Sequence, residues 1–301
     1  MSQRETHNIL LITLSNIGDA MMTTPVMAAL HQKYPRAVID IVTDARASEL
    51  FSHCPYKGET FLKDKQAGWR GLASLVKQLR QQRYDLVVDL RTDGLTLLLR
   101  ATRRLTRQGS NAAGQHATQR HFGVIGPREG MSGMPATCLW LSRHDLDFAR
   151  RHLAALPGDR WLGLGPGARW ALKRWPAHAF RELADRLQTQ FDAVVLLGSA
   201  ADADSCQQVA DGMTLPCSNL AGKTSLLEAA AVLQRVALFI GNDSGLGHMA
   251  AACNTATLTV FGPGDPARYH PWHPQARWVQ SDSGDIADVP VAAVVAAVLE
   301  R

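Results

Sequence analysis

The sequence predicts an α/β protein made of two open parallel-sheet units in tandem. Three observations carry that expectation. Apolar, β-type runs alternate with helix-period segments almost from end to end, the pattern of parallel strands covered by helices on both faces. The pattern is interrupted at Pro157-Gly158-Asp159 and restarts with WLGLG, which divides the chain into residues 1–157 and 158–301. A length of 301 residues with 46% hydrophobic content also suits two ordinary domains of roughly 150 residues each.

In the first half, ILLITL (9–14) is a strand, 20–32 a helix and AVIDIV (37–42) a strand. The amphipathic segment 69–82 is a helix, DLVVDL (85–90) a strand, and a further helix is expected from about 95 to 105. Residues 106–135 are rich in Gly, Gln, Ser and Arg with weak periodicity and read as a long surface loop. A helix then runs to about 156, with Ser142 as N-cap ahead of Asp145. The second half has strands at 161–165, 192–198, 236–241 and 256–262. Helices fall at 176–190, 202–211 and 225–234, and one more starts directly after the strand 236–241; Pro176 suits a first helical position because its missing N–H needs no partner there. Ligands of such sheets sit beyond the carboxyl ends of the strands, so chemistry is expected at strand-to-helix turns, in a cleft between the two units.

Composition excludes several classes. Five scattered cysteines with no C-x-x-C pair form neither a disulfide framework nor a zinc ribbon, and they point to a reducing, cytoplasmic setting. The polar opening MSQRETHN and the short run after it make neither a signal-peptide core nor a membrane span of about 20 residues. The net charge of +5 is modest, and no nucleic acid partner is expected. It is unevenly placed, because 94–128 holds no acidic residue but contains Arg100, Arg103, Arg104, Arg107, Arg120 and Arg128. That region is read either as a contact for an anionic partner or as a solvated face.

Four turns stand out. In LSNIGDAMMTTP (14–25) a single glycine precedes Asp19, without the G-x-G-x-x-G spacing of a dinucleotide site; Asp19 is either a cleft carboxylate or a helix cap. In GLGPGARWALKRWP (163–176) alternate glycines admit a ligand to the backbone, and Arg169, Lys173 and Arg174 can neutralise a diphosphate or form a solvated basic loop. In GNDSGLGHMAAAC (241–253) the unpaired N–H groups of Ser244, Gly245, Leu246 and Gly247 at a helix N-terminus make an anion cradle. Asp243 would repel a phosphate and is better placed for a cap or for sugar hydroxyls, while His248 reaches the ligand or bonds within the core. The loop FGPGDPARYHPWHP (261–274) holds a base or sugar between its rings, or is a packed connector.

Taken in order, ILLITLSNIGDAMMTTPVMAAL, YDLVVDLR, GPGARWALKRWP, LAGKTSLLEAAAVLQRVALFIGNDSGLGHMAAA and TVFGPGDPARYHPW resemble the glycosyltransferase family that contains the ADP-heptose:lipopolysaccharide heptosyltransferases. The resemblance covers most of the chain. It implies a GT-B architecture of two Rossmann-like, doubly wound domains facing a central cleft, with acceptor bound mainly by the first and nucleotide-sugar donor mainly by the second. By motif, Asp19 matches the general base, Lys173 the lysine on the donor phosphates and Asp243 the aspartate on the donor sugar. Ser244 and Gly245 match the backbone that holds the diphosphate. Arg103, Arg104, Arg107 and Arg120 become candidates for an anionic acceptor or for the cytoplasmic membrane face. No cofactor or metal is called for.

The chain departs from the family pattern at Gly247, at Asn254-Thr255-Ala256, and at SAADADSC, where Asp202 or Asp204 stands in for a nucleoside-binding glutamate or the contact is missing. The implied reaction is inverting transfer of a sugar, heptose from an ADP donor, onto a phosphorylated or acidic glycan such as the lipopolysaccharide inner core. An epimerase of the same fold would turn over donor without acceptor, and a non-catalytic binding protein would not turn it over at all.

Overall fold

The computed structural model describes residues 6–91, 94–107 and 116–300. The chain separates into two units, Met1–Trp140 and Leu141–Arg301. The first is built on a parallel sheet of β1 (Asn8–Ile12), β2 (Val38–Thr43), β3 (Lys57–Leu62), β4 (Tyr84–Asp89) and β5 (Ala101–Thr106) in the order β3-β2-β1-β4-β5. β1, β2 and β4 are mainly apolar and buried because helices cover both faces of the sheet. Asp40, buried in β2, has a carboxylate that accepts from the Glu59 N–H (2.8 Å) and the Tyr84 hydroxyl (3.1 Å), so its burial is compensated.

Two expectations for this unit need correction. The segment read as a helix from 95 to 105 is a 3-10 turn, Leu95–Leu98, followed by the edge strand β5. Gly94, at φ +81°, turns the chain, and pairing from Tyr84↔Ala101 to Asp89↔Thr106 satisfies the backbone groups along that edge of β4, which a helix in the same place would leave unpaired. Leucine and arginine favour helices only weakly, by tenths of a kcal/mol, so the ladder decides. The loop expected at 106–135 contains a helix, Ala117–Phe122. Its N-cap is His116, whose ring nitrogen accepts from the Thr118 N–H (3.2 Å) while Gln119 accepts from the His116 N–H (3.3 Å). Residues 108–115 of that expected loop lie outside the described residues.

The second unit has β6 (Trp161–Gly165), β7 (Ala193–Leu196), β8 (Cys217–Asn219), β9 (Leu238–Asn242), β10 (Thr257–Phe261) and β11 (Ala276–Gln280), all parallel, in the order β11-β10-β9-β6-β7-β8. Leu162, Leu164, Phe180, Leu183, Val194, Ile240 and Val260 form its core. The helix Arg143–Leu153 is capped as expected, with Ser142 and Asp145 bonded to each other's backbone N–H, but it belongs to this unit. Its buried face, Phe148, Ala149 and Leu153, packs with the helix Leu226–Leu233, and His144 lies 3.6 Å from Glu228. The division of the chain therefore precedes this helix, where 1–157 and 158–301 would place it after.

Candidate active site

In the second unit the strand order reverses between β6 and β9, so the chains leaving their carboxyl ends diverge and open a crevice at that point of the sheet. Gly165 and Gly241 face each other there in register. A Cβ at Gly165 would lie 2.6 Å from the Phe239 ring, and one at Gly241 2.9 Å from it. These two glycines make room for a core phenylalanine; the approach of a ligand does not explain them. Gly167 has a similar neighbour, since its Cβ would fall 2.2 Å from Asp202 Cγ. Asp202 itself accepts from the Ser199 N–H (3.0 Å) and hydroxyl (2.6 Å), and Asp204 is exposed.

The chain after β6 is stapled to the end of β9 by Asn242, which is 1% exposed. Its amide donates to Pro166 O (2.7 Å) and its carbonyl accepts from the Trp175 N–H (3.0 Å). Trp175 is buried and donates from its indole to Val289 O (3.0 Å), while Arg174 Nε donates to Ala168 O (2.7 Å). Between these anchors a 3-10 turn, Ala171–Lys173, delivers Lys173 onto the carboxylate of Asp243, with Nζ 5.5 Å from the centre of the Trp170 ring. Arg169 and Trp170 are exposed beside it. Asn242→Ala is expected to leave two buried backbone groups unpaired, at about 1–3 kcal/mol each, and thermal denaturation should show a Tm lower by several degrees.

Immediately after Asp243 comes the N-terminus of the helix Gly245–Ala252. Ser244 takes an extended N-cap conformation (φ −148°, ψ 171°), yet its side chain makes no capping bond. Its Oγ is buried without a hydrogen-bond partner among the described residues. Three other serines of this unit, Ser142, Ser199 and Ser225, begin helices or turns with an acid three residues on, Asp145, Asp202 and Glu228, that completes a reciprocal cap. After Ser244 the corresponding residue is Gly247, which places no carboxylate at the helix mouth. A Cβ there would sit 3.2 Å from Pro271 Cγ, so any side chain would also press on the loop after β10. That loop reaches Asp243 as well, because a Cβ on Gly264 would be 3.1 Å from its Oδ2. The first turn thus keeps its N–H groups and partial positive charge for an outside acceptor, with Lys173 alongside. His248 is 7% exposed and makes an internal contact of its own.

In the first unit the reversal falls between β1 and β4. β1 runs into the short helix Ile17–Met21, whose N-cap is Asn16, so Asp19 lies in the first turn and does not cap it. Asn16 Nδ2 donates to Asp19 Oδ2 at 2.9 Å and orients a half-exposed carboxylate at the crevice of this sheet. A bond between the hydroxyls of Thr13 and Thr23 (2.7 Å) braces the corner beneath.

The arginine-rich region is less available than its sequence suggests. Arg103 pairs with Glu129, whose side chain is 1% exposed and also receives the Tyr34 hydroxyl, with Lys33 Nζ at 3.5 Å. Burial and the Glu129 carboxylate together push the Tyr34 hydroxyl pKa up. Arg104 donates to three backbone carbonyls, Thr96 (3.1 Å), Ala101 (3.1 Å) and Leu99 (2.8 Å). Arg107 and Arg120 are half-buried, Arg107 with an internal contact and Arg120 on the helix Ala117–Phe122. All five cysteines are free, and burial pushes the thiols of Cys138 and Cys217 up to about 11, which leaves them poor nucleophiles. Among the described residues no group of three His, Cys, Asp or Glu side chains is placed to hold a metal ion.

A family model described as glycosyltransferase family 9 (heptosyltransferase) matches residues 99–291. The chain is 30% identical to lipopolysaccharide heptosyltransferase 3 of Escherichia coli (strain K12), over 85% of this chain and 82% of that protein. It is 27% identical to lipopolysaccharide heptosyltransferase 2 of the same strain, over 92% and 88% of the two chains. The solved structure of E. coli ADP-heptose lps heptosyltransferase II matches with a TM-score of 0.81 at 25% identity, covering 97% of this chain and 98% of that one. The two parallel-sheet units are the α/β domains of the GT-B architecture. The chain belongs to glycosyltransferase family 9, the heptosyltransferase family.

Proposed function

We propose that the protein is an inverting transferase that moves heptose from ADP-heptose onto an acidic or phosphorylated glycan, the inner core of lipopolysaccharide. The observation that carries this reading is the uncapped N-terminus of the helix Gly245–Ala252 with Lys173 beside it. The N–H groups of Ser244, Gly245, Leu246 and Gly247 take the diphosphate, Lys173 and the exposed Arg169 neutralise it, and Asp243 accepts from sugar hydroxyls. His248 supports the helix from within. An acceptor hydroxyl attacks the anomeric carbon opposite the diphosphate and forms the new C–O bond. The bond to ADP breaks, its charge is met by Lys173 and the helix terminus, and Asp19 takes the hydroxyl proton. These steps need no metal, so turnover is expected to survive a chelator; a loss restored by added metal would overturn that part.

The glycolipid acceptor places the enzyme at the cytoplasmic face of the inner membrane, and names that suit such a substrate recur among its relatives. The donor is tested by thermal shift with ADP-, UDP- and GDP-sugars. ADP-heptose at about 100 times its Kd is expected to add ~2.7 kcal/mol of stability. Stronger stabilisation by a UDP- or GDP-sugar would assign a different donor. NMR of the product is expected to show an inverted anomeric centre.

A further inference from the structure

We propose that the outer face of one helical layer of the first unit is a contact surface for an anionic bilayer, formed by Trp69, Leu72, Leu97 and Leu98 within a ring of cations. The crossovers β3 to β4 and β4 to β5 run in the same direction across the sheet, so the helix Gly68–Leu79 and the turn Leu95–Leu98 cover the same face. Their inner residues, Leu75, Leu79, Leu95 and Leu99, share one buried cluster with Leu10, Val42 and Val87. Their outer residues need no apolar side chain for folding, yet Trp69 and Leu97 are each 76% exposed, Leu98 50% and Leu72 36%. Arg104 of β5 donates to Thr96 O within the Leu95–Leu98 turn and to Leu99 O just after it, which anchors the turn on the sheet.

Charge selects the occupant. Residues 68–83 carry Arg70, Lys77, Arg80 and Arg83, all exposed, with no carboxylate among them. The Arg70 guanidinium lies 5.6 Å from the Trp69 ring centre, an indole and a cation presented together. A second copy docked face to face would set cation against cation, which opposes association. An anionic headgroup layer neutralises the cations while indole and leucine enter the acyl boundary. No helix among the described residues is long and apolar enough to cross a membrane, so the contact is with the surface.

The inference deepens the membrane contact in the proposed function and rests on that reading of the acceptor, but its test requires no sugar. The full chain is sedimented with vesicles of phosphatidylethanolamine and phosphatidylglycerol, and with vesicles of phosphatidylcholine. Binding is expected only to the first and should weaken with salt. Trp69→Ser with Leu97→Ser should lower partitioning about tenfold, and Arg70→Gln with Lys77→Gln should reduce its salt dependence. The donor-induced thermal shift should be unchanged in both variants, which shows that they are folded. Equal binding to both vesicle types, undiminished binding by Trp69→Ser/Leu97→Ser, or self-association that this pair abolishes would each overturn the surface. Vesicle binding without sugar transfer would overturn the function and leave the surface standing.

Discussion

Asp19→Asn is expected to lower kcat by about 10²- to 10⁴-fold, the range of a positioned general base, while the thermal shift produced by donor stays as it is. The variant is close to isosteric, and its carbonyl oxygen can still accept from Asn16 Nδ2, the bond that orients Asp19 at 2.9 Å. Asp19 is half-exposed in the first turn of a five-residue helix, so losing its charge there should cost only about 0.3–1 kcal/mol of stability. What remains is the loss of a proton acceptor. Asn16→Ala keeps the acceptor and removes its orientation, and about tenfold of kcat should go with it. Near-normal turnover by Asp19→Asn would dismiss the base, and a parallel loss of donor affinity would move Asp19 from chemistry to binding.

The continuous apolar runs of β1, β2, β4, β6, β7, β9 and β10 were legible because strands covered on both faces have no polar side to interrupt them. The edge strands were not. KGETFL, CSN and ARWVQ in β3, β8 and β11 are short or half-exposed and lack such runs, and ATRRLT in β5 is built from residues that also suit a helix. The residues proposed for the donor were readable because a glycine-rich strand-to-helix turn advertises an anion site wherever it occurs. Asn242 is not legible in that way, since its value lies in Pro166 O and the Trp175 N–H, groups some seventy residues away that only the sheet brings to it. The one signal was an amide ending an otherwise apolar strand. The glycines misled in the other direction, because Gly165 and Gly241 answer to Phe239. The arginines misled too, because Glu129 and the carbonyls that occupy Arg103 and Arg104 are invisible in a count of charge.

Lys173→Ala is expected to weaken donor binding about 100-fold or more, a larger loss than a single phosphate contact at a surface would give. The reason lies in the pair itself. Lys173 already rests on Asp243, with side-chain exposures of 25% and 13%, so the cation and carboxylate form a nearly neutral unit beside the helix N-terminus. Diphosphate can share the ammonium without displacing it, because an ammonium carries three N–H donors. Without the lysine, the Asp243 carboxylate stands unopposed next to an incoming dianion and adds repulsion to the lost contact. Lys173→Ala combined with Asp243→Asn should therefore bind donor better than Lys173→Ala alone, even though a second proposed donor contact has been altered. Simple addition of the two single losses would mean that the pair has no electrostatic coupling to the diphosphate, whereas partial recovery identifies Asp243 as the group that Lys173 must hold in check.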